Sequence, residues 1–457
     1  MGKLEAPVLN AATCDKIIGE KGKSLPVPTP SQPQQVINKW VPLKPSTFAQ
    51  NTVNPVRSFV EALSIKPNPK LKPIKLNLGD PTLIGNLPPP KVAIESVQEA
   101  LLSNNYDGYG PSVGFIQSRQ AVVDTFNHPE AQITVDDVIL TSGCSHALQI
   151  AIESIANKGD NILVPKPGFP LYTTLMHPLG IEDRSYNLIL GGSEKIDYNQ
   201  MESIIDKRTK AIIINNPSNP VGIVLEENDL KKILEIAFKH KIVIIADEIY
   251  GNLTFNGATF KNIATLTPKV PVISCDGIAK RYMIPGWRLG WIIIHDRYGV
   301  LEHVRKGMIS LTQKIVGPCA LIQGALPKIL KETPSTYFEE SRKIIENNAK
   351  LFLDGFNEIP GLTPIMSNGA MYMMVKIDSY TYGDDMEFLK DLIKQQSVYC
   401  LPGGAFGTPY WFRVVLTYPE SLSKQAIQRI AIFCKDRRLK KCKELGNKEK
   451  RLTENAL

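Results

Sequence analysis

Residues 271–291 read PVISCDGIAKRYMIPGWRLGW. Two basic residues stand out, Lys280 and Arg288, eight positions apart. An apolar, strand-like stretch precedes them and a second apolar run, from Trp291 to Ile294, follows. Pro285-Gly286 between them forces a turn. A lysine at the end of a buried strand loses hydration, which disfavours its ammonium form and lowers its pKa. The neutral amine can then attack an aldehyde and form a Schiff base. An arginine just past a glycine turn can fold back and clamp a phosphate with two parallel hydrogen bonds. The pair therefore suits a ligand that carries both an aldehyde and a phosphate. Loop lysines and arginines more often sit solvated on a surface, so this stretch alone leaves both readings open.

The flanking chain alternates strand and helix. Short apolar strands are predicted at 74–78, 138–140, 161–164, 211–214 and 242–246. Each runs into a turn with unusual chemistry: Gly79-Asp80-Pro81, then 141–146 (TSGCSH), 165–172 (PKPGFPLY), 215–222 (NNPSNPVG) and 247–250 (DEIY). Small residues at the strand-to-helix turn 141–146 offer backbone N–H groups at the positive end of a helix, which suits a phosphate. His146 in that turn is read as structural. Two Asn-Pro pairs at one strand end fix the backbone and aim an asparagine; a cis bond is one means. A carboxylate straight after a buried strand, Asp247, is costly without a partner, and a protonated ring nitrogen would be one. Helices between the strands imply a mostly parallel sheet with right-handed crossovers. The turns at the carboxyl ends should then converge on one edge, where such sheets bind ligands.

After about Pro334 the pattern changes to a long helix at 337–356, an apolar strand after NGAMY at 368–372, a helix at 386–396 and strands at 398–401 and 411–416. A last helix spans 424 to about 439. Arg413 sits inside an apolar run and needs an anion; a structural carboxylate and a substrate carboxylate are equal candidates on this pattern. The predicted organisation is a mobile N-terminal arm, 1–50, too proline-broken to fold alone, and a large domain, 96–334. A smaller α/β domain is built from 51–95 and 335–440, and a basic tail covers 441–457. The chain has 457 residues, 43% hydrophobic and 21% charged, with a net charge of +8. These are values of an ordinary soluble protein, with much of the charge in the tail. No basic helix interleaved with aromatics suggests nucleic-acid binding, and no apolar run reaches membrane-span length. Seven cysteines are scattered without a CxxC pair, which fits free thiols in a reducing compartment and no zinc site. A cytoplasmic protein is the default, with a mitochondrial one left open.

In combination, LNLGDPT, LTSGCSHAL, NILVPKPGFPLY, NNPSNPVG, ADEIYG, IAKRYMIPGWRLGWIIIHD, GPCALIQGAL and NGAMYMMV resemble the fold-type I aminotransferases that depend on pyridoxal 5'-phosphate. The similarity runs from about Thr52 to Lys435. It implies an α/β fold with a mostly parallel central sheet, helices on both faces and a smaller α/β domain. It implies that Lys280 forms the Schiff base, that Arg288 binds the phosphate and that Asp247 pairs with the pyridine nitrogen. Tyr250 and Asn219 match the groups on the ring's phenolic oxygen. Gly143, Cys144 and Ser145 match the phosphate turn, and Phe169 the residue stacked on the ring. Tyr109 matches a tyrosine that reaches the phosphate of the other subunit, which requires a homodimer. Arg413, with Gly79 beside it, matches the grip on the substrate α-carboxylate. One departure is Gly277, where many relatives place serine or threonine three residues before the lysine; Ser274 is the substitute hydroxyl.

The resemblance also implies transamination between an amino acid and a 2-oxo acid by ping-pong kinetics. Tyrosine is the expected donor, ahead of phenylalanine and tryptophan, with 2-oxoglutarate as acceptor and alanine as runner-up donor. Leu78, Leu83, Phe169, Tyr172, Ser367 and Asn368 are the expected neighbours of the substrate side chain. No motif assigns a second arginine to a distal carboxylate. A carbon–sulfur lyase on the same fold would share Lys280, Asp247 and Arg413. A transcription regulator with an aminotransferase-like domain would need a DNA-binding domain that the proline-broken first 50 residues do not supply.

Overall fold

Seven strands form the central sheet: β1 (Val138–Thr141), β2 (Asn161–Lys166), β3 (Glu182–Asn187), β4 (Thr209–Asn215), β5 (Val243–Asp247), β6 (Val272–Gly277) and β7 (Gly290–His295). They lie in the order β1-β7-β6-β5-β4-β2-β3 in the computed structural model, which describes residues 43–192 and 195–454. All neighbours pair parallel except β7, which runs antiparallel to β1 and β6. The isoleucine runs explain both faces. Side chains alternate along a strand, so Ile213, Ile245 and Ile273 face one way, onto Ala147, Leu148 and Ala151 of the helix Cys144–Ile155. Ile212, Ile214 and Ile244 face the other, onto Leu230, Ile233 and Ala237 of the helix Glu227–His240. Burial on both sides removes each isoleucine from water, at about 1.5–3 kcal/mol apiece, and leaves no polar face. The fold is the α/β architecture that the resemblance implies.

A second sheet is antiparallel. Strands β8 (Leu362–Pro364), β9 (Tyr372–Ile377), β10 (Leu401–Pro402) and β11 (Trp411–Val415) lie in the order β10-β11-β9-β8. An aromatic cluster of Phe352, Phe356, Phe388, Phe412 and Phe433 ties it to the helices Ser335–Asn357, Asp385–Gln396 and Glu420–Glu454. The segment before the central sheet joins here. Ile74–Lys75 pairs parallel with Val398–Tyr399, and the helix Pro55–Ala62 rests Val56, Phe59 and Val60 on Leu401, Ala405 and Phe406.

Two readings of the ends change. Within the predicted arm, Thr47–Asn51 is a short helix, while residues 1–42 lie outside the described residues. The last helix does not stop near residue 439 but continues through the basic tail to Glu454. Among the described residues no helix is long and apolar enough to cross a membrane.

Candidate active site

The parallel strands β2, β4, β5 and β6 end at the same edge where the antiparallel β7 begins, so the turns there meet. The helix Cys144–Ile155 starts directly behind Gly143, whose φ of +81° suits a residue without Cβ. There is also no room for one: an added Cβ would lie 2.5 Å from Nη2 of Arg288. Arg288 is turned back by the Pro285–Trp287 turn and donates to the carbonyls of Pro285 (2.9 Å) and Ser142 (3.2 Å). An exposed guanidinium therefore meets the first backbone N–H groups of a helix, Cys144 and Ser145, which together favour a dianion. His146 is structural, as expected, and its Nδ1 accepts from the Ser142 amide (3.2 Å). Both Asn-Pro bonds, 216–217 and 219–220, are cis.

Asp247 ends β5 and is only 2% exposed. Tyr172 donates its hydroxyl to Oδ2 at 2.7 Å, the Cys144 thiol lies 3.7 Å from Oδ1, and the Ile249 amide lies 3.5 Å from it. Burial pushes its pKa up to about 6, against the lowering effect of the Tyr172 bond. No cationic side chain among the described residues pairs with it. A cation in the cavity would restore its charge, and the protonated ring nitrogen expected from the sequence is such a partner.

Lys280 lies in the short helix Ile278–Arg281 just past β6, and its Nζ donates to the Gly79 carbonyl at 2.6 Å. Arg413, on β11, is 4% exposed. Its Nη1 donates to Asn219 Oδ1 and its Nη2 to the Asn77 carbonyl, both at 2.9 Å, while Nε has no partner. No carboxylate among the described residues meets it, and burial lowers its pKa. The structural-carboxylate alternative therefore lacks its carboxylate. Asn219 is itself fixed through its amide to Asn215 Oδ1 (2.6 Å). With Asn219 Oδ1 taken by Arg413, only its NH₂ end is left to serve a ligand. Tyr250 is buried, which raises its pKa, and its hydroxyl lies 2.9 Å from that of Tyr372.

Cys144, Ser145, Phe169, Asn219, Asp247, Tyr250, Lys280, Arg288 and Arg413 line one cavity of about 250 Å³, together with Gly79, Val56, Asn77, Leu78 and Tyr372. Three predicted residues are not among them: Gly143, which directly precedes Cys144, Ser274 and Tyr109. Ser274 lies three residues inside the end of β6, roughly 10 Å below its rim, and shares the face of Val272, opposite the face of Ile273 and Cys275. It is buried and lines no part of this cavity. Gly277 has its own reason: a Cβ there would sit 2.8 Å from Gly290 Cα and the Leu289 carbonyl. Tyr109 is 96% exposed and away from the cavity.

The expected side-chain pocket also changes. Leu78 and Phe169 line the cavity, but Leu83 is exposed and Tyr172 is committed to Asp247. Ser367 is buried with its hydroxyl on the Gly222 and Gly369 carbonyls, and Asn368 faces a separate cleft with Asn256 and Thr259. The sequence did not single out Tyr372 as a site residue. The one signal for it was its place in NGAMY, straight before an apolar strand.

A dianion cradle, an amine, a buried carboxylate awaiting a cation and a buried guanidinium awaiting an anion define an enzyme that handles an amino acid on a phosphorylated, nitrogen-containing cofactor. The chain matches the family "Aminotransferase class I and II" over residues 72–430 and belongs to it. Among its relatives, a tyrosine aminotransferase of Caenorhabditis elegans is 52% identical over 398 residues, 87% of this chain and 86% of that protein. A tyrosine aminotransferase of Homo sapiens is 44% identical over 396 residues, 86% of this chain and 87% of that one. The crystal structure of tyrosine aminotransferase from Leishmania infantum superposes with a TM-score of 0.83 at 31% identity, covering 87% of this chain and 99% of that chain. Pyridoxal 5'-phosphate is the cofactor. The unpaired Asp247 carboxylate, and the Gly143 cradle that a Cβ would fill, fit its ring nitrogen and its phosphate.

Proposed function

We propose that this aminotransferase transfers the amino group of L-tyrosine, and less readily that of phenylalanine and tryptophan, to 2-oxoglutarate, giving 4-hydroxyphenylpyruvate and glutamate by ping-pong kinetics. The observation that carries the reading is Arg413, a buried guanidinium without a carboxylate partner among the described residues, in one cavity with the amine of Lys280. When bound, the cofactor supplies an electron sink for the charge left at Cα after the α-proton departs. Arg288 with the N–H groups of Cys144 and Ser145 would hold its phosphate, and Phe169 would wall its ring. Asp247 would keep the proton on its ring nitrogen, while Tyr250 and the Asn219 NH₂ group would serve its phenolic oxygen.

The chain's own groups then do the following. Arg413 binds the α-carboxylate of either substrate through its paired N–H groups. Lys280 Nζ is the amine placed to take the proton from the substrate Cα and to hold it for return, acting as base and then acid. Val56 and Leu78 give the side-chain region an apolar wall. Such a wall favours aromatic over small side chains by about 25 cal/mol per Å² of apolar area removed from water. The names of the relatives support tyrosine more directly than the wall does. An amino-donor panel with 2-oxoglutarate tests the reading, with kcat/KM highest for tyrosine. A higher value for alanine or aspartate overturns the specificity. Pyruvate release from cystathionine faster than amino transfer points instead to a carbon–sulfur lyase.

A homodimer belongs to the same proposal. Tyr109 is an exposed aromatic in a glycine-rich turn remote from its own cavity, and we assign it to the phosphate of the partner subunit. Sedimentation equilibrium should give a dimer, and Tyr109→Ala should weaken cofactor retention. A fully active monomer would rule the shared site out.

A further inference from the structure

We propose that Tyr372 is a positioning residue that couples the carboxylate clamp at Arg413 to the hydroxyl of Tyr250, through two different parts of one side chain. The inference rests on the reading above, in which Arg413 takes the α-carboxylate and Tyr250 serves the cofactor. Tyr372 opens β9 and is 2% exposed. Its ring lies against the Arg413 guanidinium, with Cζ 4.1 Å from the ring centroid, and Phe406 flanks the same guanidinium at 4.8 Å. Strand register produces this contact. Arg413 pairs with Met374, and Tyr372 lies two residues further along the same face, within diagonal reach of a long side chain. A guanidinium that lacks a carboxylate partner is thus held by two aromatic faces, the Asn77 carbonyl and Asn219 Oδ1, and stays charged for an incoming anion.

The hydroxyl does something separate. It lies 2.9 Å from Tyr250 Oη, with the two rings edge to face at 80°. Either hydroxyl can donate across this contact; with Tyr372 as the donor, the direction we assign, the Tyr250 proton is directed to the cavity and is a stronger donor there. The same hydroxyl abuts Gly79, where an added Cβ would collide with it, and the Gly79 carbonyl holds Lys280 Nζ at 2.6 Å. Ring and hydroxyl therefore act on different groups, and their effects can be separated.

Two variants test this on the cofactor-loaded, substrate-free enzyme. Tyr372→Phe keeps the ring and loses the hydroxyl. Tyr250 then becomes a weaker donor, the negative form of the oxygen it serves is disfavoured, and the midpoint of the visible absorbance titration rises by about half to one pH unit. Its dissociation constant for a non-reacting dicarboxylate, maleate, stays within about twofold of the parent's, because that contact is unchanged. Tyr372→Leu also loses the ring, and its dissociation constant for maleate rises about 3- to 30-fold. An unshifted titration in Tyr372→Phe, or parent-like maleate binding in Tyr372→Leu, overturns the assignment. If the leucine variant does not fold, the phenylalanine titration decides alone. A parent enzyme that loads no cofactor overturns the proposed function together with this inference. A parent that loads and transaminates while Tyr372→Phe titrates unchanged overturns the inference only.

Discussion

Alanine at Lys280 is expected to lower kcat for tyrosine transamination by about 10⁴-fold or more. The size follows from what remains in the cavity. Arg288 and Arg413 are guanidiniums, which do not give up their protons in a protein and so cannot act as bases. Tyr250 is buried, which holds its phenol protonated. Asp247 has one oxygen on the Tyr172 hydroxyl and the other near the Cys144 thiol. Lys280 Nζ is then the one amine lining this cavity among the described residues, and only water could replace it. Arginine at the same position should not rescue, because its pKa keeps it protonated. Single-turnover kinetics with tyrosine, and loss of the visible absorbance of the loaded enzyme, are the two readouts. Turnover within tenfold of the parent would falsify the lysine assignment. Fast amino transfer without the absorbance band would show that some other amine holds the cofactor.

Much of the site was legible because of where it sits on the sheet. In a parallel sheet the strand ends point to one edge, and the buried strands announce themselves as apolar runs such as 211–214 and 242–246. Asp247, Asn219, Lys280 and the Gly143 turn could therefore be read as neighbours before any coordinates. The edge strand β3 could not be read, because EDRSYN buries only Tyr186 fully and carries charge on its open side. The tail helix was missed for a related reason. Its Lys-, Glu- and Leu-rich sequence has good helix propensity, but its basic charge was read as a solvated tail. The role of Tyr172, expected instead beside the substrate side chain, and any role of Tyr372 were illegible for a different cause. Each acts through a hydroxyl that meets a residue 75 or 122 positions away, a juxtaposition that neither periodicity nor turn chemistry records. Ser274 shows the reverse error. It was six residues from the lysine in sequence, but strand geometry places it well below the rim and on the opposite face.

Glutamine at Arg413 should lower kcat/KM roughly 10²- to 10⁴-fold for tyrosine and for 2-oxoglutarate alike. Each charge-assisted hydrogen bond to a carboxylate contributes about 1.5–3 kcal/mol, and a guanidinium presents two in parallel. Both substrates carry the carboxylate beside the reacting carbon, so both half-reactions should fall together, with the order of preference among donors retained. Folding responds differently. Breaking a buried ion pair costs about 3–5 kcal/mol because a charge is stranded. Arg413 has no such partner among the described residues, so its removal strands no charge. What is lost is two hydrogen bonds, to Asn219 and Asn77, and the contacts with Tyr372 and Phe406. Against that, the desolvation that lowers the Arg413 pKa is relieved. The melting temperature of the substrate-free enzyme should therefore move by no more than about 5 °C, while a dicarboxylate that protects the parent enzyme on heating no longer protects the variant. Lysine should restore little, since a point charge lacks the planar fork. A variant that loses only one half-reaction would show that the two substrates do not share this clamp. A fall in melting temperature far beyond that range would make Arg413 a structural residue first.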